Sequence, residues 1–114
     1  MLSENLKGKV GNFIKDEIKT AVVVFEGEEA EEVQIIRKIL EGDTLKVLVN
    51  TTKGVGTITD IRLLDDEGQV LISKPTGRIK TVDHSIISTF WIRIVEEEME
   101  EPIKIFELKE GLNG

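Results

Sequence analysis

The polar and apolar positions change period twice along the chain. Over residues 3–19, Leu6, Val10, Phe13, Ile14 and Ile18 are spaced by four, three, one and four, which places them on one face of a helix. Ser3 stands where an N-cap would accept from the first free amides. Gly8 and Gly11 weaken such a helix by up to ~1 kcal/mol each against alanine. Its stability therefore depends on docking, and Leu6, Phe13, Ile14 and Ile18 form the candidate interface stripe.

From Thr20 onward, β-branched runs replace the helical spacing: 21–25, 33–40 and 44–51, broken by acidic or glycine-containing stretches at 26–32 and 41–43. Residues 33–40 fit a strand and a helix alike, because Val33, Ile35, Ile36, Ile39 and Leu40 satisfy either spacing; a strand is preferred. Thr59, Ile61 and Leu63 alternate with Asp60 and Arg62, and the turn residues Asp65, Asp66, Glu67 and Gly68 precede an apolar run at 70–73, a hairpin pattern. Pro75 and Gly77 then predict a break in the sheet. Along 85–95, Ile86, Phe90, Ile92 and Ile94 share one face and Ile87, Trp91 and Val95 the other, which predicts a central strand covered on both sides. A last strand is expected at 103–108, after Pro102.

These elements predict a mainly β fold: an antiparallel sheet or small β-sandwich with one N-terminal amphipathic helix, in a single domain over 1–114. Within it, 3–19 is helix, 20–108 the β domain and 109–114 a flexible tail. Ile61, Leu63, Val70, Ile72, Phe90 and Ile92 are the expected core of the hairpin and the aromatic strand.

Composition narrows the function more than the fold. The 114 residues fit one core, and 39% apolar residues suffice to fill it. A net charge of −7 repels phosphate backbones, so nucleic acid is not an expected partner. With no cysteine, disulfides, thiolate nucleophiles and the usual structural zinc sites fall away. No stretch approaches the ~20 apolar residues of a membrane span, and the N-terminal residues lack a secretory pattern, so neither a membrane nor export is expected.

Candidate chemistry is sparse. His84, the single histidine, stands in a polar run without a second ligand, and a loop role is preferred over catalysis or metal binding. Gly54, Gly56 and Thr57 resemble a phosphate loop only superficially, since Thr59 stands where a dinucleotide motif has its third glycine; a bend into the next strand is the simpler reading. Asp65, Asp66 and Glu67 are adjacent, whereas a calcium loop alternates its ligands, so they read as a turn. Glu96, Glu97, Glu98, Glu100 and Glu101 repel one another and read as a solvated strand end that discourages edge pairing. Trp91, the only tryptophan, reads as a core or interface residue, with a ligand-stacking platform as the alternative. No catalytic, cofactor-binding or metal residue is expected, and the chain is expected not to be an enzyme.

The stretch 39–97 resembles small structural proteins encoded beside the tail-fibre genes of bacteriophages and prophages. The resemblance rests on Gly-Asp-Thr-Leu at 42–45, Gly-Thr-Ile-Thr at 56–59, the hairpin pattern Ile-x-Leu-Leu-Asp-x-x-Gly-x-Val-Leu at 61–71, and the aromatic strand at 90–94 that runs into glutamates. Pro75 and Gly77 depart from that pattern, and the N-terminal helix lies outside it. What the resemblance implies is a non-enzymatic virion structural or assembly protein, a tail or tail-fibre-associated component assembled in the host cytoplasm. Its implied partners are other phage structural proteins and further copies of itself. The alternative is a small binding module recognising carbohydrate or peptide, through Trp91 or loops at 50–57 and 73–84.

Overall fold

The computed structural model describes residues 3–95. A single helix, α1 (Glu4–Glu17), precedes six strands: β1 (Thr20–Phe25), β2 (Glu31–Glu41), β3 (Thr44–Thr51), β4 (Gly56–Leu64), β5 (Val70–Lys80) and β6 (Ile86–Arg93). All pairings are antiparallel, and the strands form one sheet in the order β5-β4-β1-β2-β3-β6. The protein is thus mainly β, and of the two architectures expected it adopts the single sheet, curled into a nearly closed barrel. The expected strand at 103–108 and the glutamates at 96–101 lie outside the described residues.

The helix starts where Ser3 predicts: its hydroxyl accepts from the Leu6 amide at 3.1 Å. It lies on the barrel, and Gly11 is the point of closest approach. A Cβ there would meet Leu40 Cδ1 at 2.7 Å and Ile94 Cδ1 at 3.2 Å. The glycine that lowers helix propensity therefore lets the helix sit on the sheet. At the other end, Lys38 Nζ donates to the Lys15 carbonyl at 2.9 Å and the Ile18 carbonyl at 2.8 Å, satisfying acceptors that the last helical turn leaves open. Burial, reinforced by nearby Lys19, lowers the Lys38 pKa from the ordinary lysine value.

The core comes from alternate residues of the strands. Ala21, Val23 and Phe25 of β1, Leu45, Val47 and Val49 of β3, Ile58, Ile61 and Leu63 of β4, and Ile86 and Phe90 of β6 are buried together with Ile18. In β2 the register slips between Ile35 and Arg37. Its inward residues are Val33, Ile35, Lys38 and Leu40, each opposite a buried residue of a neighbouring strand. That two-three-two spacing is why the sequence of this strand also fits a helix: the bulge adds one residue to the period. The strand leaves β1 after Val33 and pairs with β3 from Gln34, so the sheet turns its corner here. Gly42, at φ 60°, then opens the two-residue hairpin between Glu41 and Thr44.

Three expectations are corrected. Pro75 and Gly77 do not break the sheet: β5 continues through both to Lys80. It stands at one end of the strand order, and the register shift between Ile58 and Asp60 accommodates a residue with no amide to donate. Val70 is 53% exposed, because a second shift at Leu63/Leu64 pairs it with Leu64, outside the face that carries Leu63 and Ile72. Finally, β6 is not a covered central strand. It forms the other end of the order, with its inner face buried and Ile87, Trp91 and Val95 exposed on the outside. Ile61, Leu63 and Phe90 are buried as expected, while Ile72 and Ile92 pack half-buried against the core.

Between β5 and β6 the barrel is bridged by side chains. Lys74 and Arg78 stand opposite buried Ile61 and Ile58, so they face inward across the gap. Lys74 Nζ donates to the Thr89 carbonyl at 2.7 Å and Arg78 Nη1 to the Ile87 carbonyl at 3.3 Å. Inward charges of this kind cover acceptors on a free strand edge and hinder another chain from pairing there.

Candidate functional site

The outer face of β2, β3 and β6 carries the only tryptophan, and Ile36, Ile87 and Trp91 are exposed on it. Register builds this face row by row. Trp91 stands opposite Lys46, which stands opposite Ile39; Thr89 stands opposite Leu48, and Leu48 opposite Arg37; Ile87 stands opposite Asn50, and Asn50 opposite Gln34. Because side chains alternate across a strand, burying Leu45, Val47, Val49, Ser88 and Phe90 turns these neighbours outward. The bulge in β2 adds Ile36, which is exposed as well.

Trp91 is 65% exposed at the β6 end of its row. Lys46 lies over its ring with Nζ 4.8 Å from the centroid, and the same ammonium is held by Glu41 Oε1 at 3.2 Å. An exposed cation–π contact of this kind contributes ~0.5–1 kcal/mol, enough to bias the ring's orientation but not to cover it. Arg93 continues the face and reaches Asp43 Oδ2 with Nε at 3.3 Å. Hydrogen bonds from Thr44 and then Arg93 hold the Asp43 carboxyl below the usual carboxylate range. The result is an aromatic plane between two anchored cations, bordered by aliphatic side chains. Such a surface can stack, pack and donate hydrogen bonds.

The other sequence candidates have local structural roles. His84 is exposed, with Nδ1 3.1 Å from Thr81 Oγ1 in the turn before β6. Gly54 and Gly56 adopt φ of 92° and 127° and carry the chain over Phe25 into β4. Asp65 Oδ1 accepts from the Glu67 amide at 2.9 Å and the Gln69 amide at 2.8 Å, which makes the acidic run a hairpin turn. Among the described residues, no three His, Cys, Asp or Glu side chains are grouped to hold a metal ion. Most of the 73–84 loop in the alternative reading is strand β5, and only its end turns. The loop at 50–57 borders a polar depression lined by Glu31, Glu32, Gln34, Asn50 and Lys53, where Asn50 Oδ1 is buried without a hydrogen-bond partner.

The helix stripe divides. Ile18 is fully buried in the core and Ile14 packs half-buried against it, whereas Leu6 and Phe13 remain exposed. The barrel thus covers the stripe through Ile14 and Ile18, while Leu6 and Phe13 stay uncovered. Trp91 stands out in the sequence but its companions do not, since Ile39, Lys46 and Leu48 join it only through strand register. The one available signal was the alternation within 44–51, which separates Lys46 and Leu48 from the buried positions.

No protein-family model matches this chain, and no curated protein or solved structure is detectably similar to it.

Proposed function

We propose that this protein is a non-enzymatic structural or assembly component that works by docking, with the outer face of β2, β3 and β6 as its contact surface. The setting we propose is the tail or tail-fibre region of a phage or prophage particle, where the protein joins other structural proteins and copies of itself. One observation carries the docking reading: the only tryptophan stands largely exposed on the outside of a strand whose inner face is packed into the core. Tryptophan contributes heavily to interfaces when buried there, and exposed apolar groups clustered beside anchored cations are what a partner surface offers. The proposed setting rests on the sequence patterns at 42–45, 56–59, 61–71 and 90–94. Repeated weak contacts, summed by symmetry, suffice to place such a component in a larger particle.

A second reading, a module for carbohydrate or peptide, is favoured by the Lys46 ammonium over the Trp91 ring, because a sugar face could stack where that flexible side chain now lies. Trp91 is its own reporter. If docking between copies is its role, its emission shifts to shorter wavelength as the full chain is concentrated from micromolar towards millimolar. A shift produced only by added oligosaccharide or peptide, at constant protein concentration, transfers the role to the binding module. Emission that stays at the position of a solvated indole under both treatments contradicts both readings.

A further inference from the structure

A second apolar feature lies away from the Trp91 face, in the groove where α1 meets the lower ends of β5 and β6. It has a volume of about 320 Å³ and is walled by Phe13, Ile14 and Ile18 of the helix segment, Leu71 and Ile72 of β5, and Ile92 of β6. Glu17 is the only charged side chain lining it among the described residues. Phe13 is 65% exposed at its rim, and Leu71 is exposed as well. Water against so many aliphatic and aromatic carbons is unfavourable, so a covering segment would gain burial there.

We infer that the groove is covered by this chain's own residues 103–108. Three observations select that occupant. The described chain ends beside the groove: Ile92 lines it, Ile94 packs against Gly11 of the same helix, and Val95 is the last described residue. The seven residues 96–102 reach at most roughly 25 Å when extended, whereas the helix advances only about 10 Å from Gly11 to Ile18. The segment is therefore within reach without moving any described element. Its sequence is also complementary. Ile103, Ile105, Phe106 and Leu108 supply apolar side chains, and Lys104, the only basic residue in 96–108, can pair with Glu17.

The absence of cysteine makes a direct test available. In the full chain, Glu107→Cys gives a single attachment point for a nitroxide, and the methyl signals of Leu71, Ile72 and Ile92 report its proximity. Docking in cis makes those methyls lose most of their intensity, with no recovery when labelled protein is diluted into an excess of unlabelled protein. Adding Phe106→Asp to the labelled chain restores them. Unbroadened methyls overturn the inference, because the groove is then open or held for another molecule. Broadening that fades in proportion to dilution overturns it in favour of a second copy, and broadening that survives Phe106→Asp shows proximity without docking.

Discussion

The ring of Phe25 lies directly beneath Gly54: a Cβ on that glycine would stand 2.7 Å from both Cε2 and Cζ. Phe25 is buried, so the ring cannot swing into solvent, and Gly54 itself holds φ at 92°, a conformation that other residues rarely adopt. The bend that delivers the chain into β4 thus depends on a hydrogen atom where any other residue carries carbon.

Gly54→Ala is accordingly expected to destabilise the fold by about 2–4 kcal/mol, combining strain at positive φ with overpacking. Gly27 is the control. It also has positive φ, at 79°, yet no atom lies within 4 Å of its would-be Cβ, so Gly27→Ala should cost only about 1 kcal/mol. Urea unfolding of the two variants checks the difference; equal losses would show that the Phe25 contact contributes nothing.

The helix stripe offers a second contrast. Ile18 is fully buried and Phe13 largely exposed, although the sequence places both on the same apolar face. Ile18→Ala should cost about 2–5 kcal/mol through the cavity it leaves, and Phe90→Ala about 3–5 kcal/mol, while Phe13→Ala should change stability by less than about 1 kcal/mol. Removing residues 1–19 would delete Ile18 from the core and the carbonyls that Lys38 binds. The truncated chain is therefore expected to melt well below the full chain, as circular dichroism would register.

These contrasts mark what the sequence could and could not convey. Alternation within 58–64 and the turn chemistry at 65–68 were sufficient for the β4–β5 hairpin, because both are local. The outer row of Ile39, Lys46 and Trp91 depends on pairing between strands distant in sequence, and the bulge at Ile36 hid the period of β2. Pro75 looked like a break because nothing local marks a strand as the last of its sheet. Trp91 was legible as a residue of consequence, but its exposure followed only from the position of β6 at the other end of the sheet.

Asp60 sets the expected response to acid. Burial pushes its carboxyl upward, but the hydrogen bonds from Arg62 Nε at 2.7 Å and Ser73 Oγ at 2.8 Å outweigh this and hold it below the ordinary value. A depressed carboxylate pKa means the unfolded chain binds the proton first, so stability is fully present above the unfolded carboxylate range, near pH 4. It is lost as pH falls through the folded value. Asp60→Asn should leave a shallower decline of stability between about pH 5 and pH 2 than the unaltered chain shows. Parallel profiles from denaturation at each pH would contradict this.

The docking role is tested most directly by sedimentation of the full chain beside Trp91→Glu, from micromolar to near-millimolar concentration. Trp91 is exposed and lies outside the core cluster, so the substitution removes little beyond the Lys46 contact and should lower the melting temperature by only a few degrees. The unaltered chain is expected to form a defined, concentration-dependent oligomer, and the Trp91→Glu chain to remain monomeric, because a carboxylate within the contact surface must be desolvated on contact. An unaltered chain that stays monomeric throughout, or a Trp91→Glu chain that associates equally well, would contradict assembly through this face.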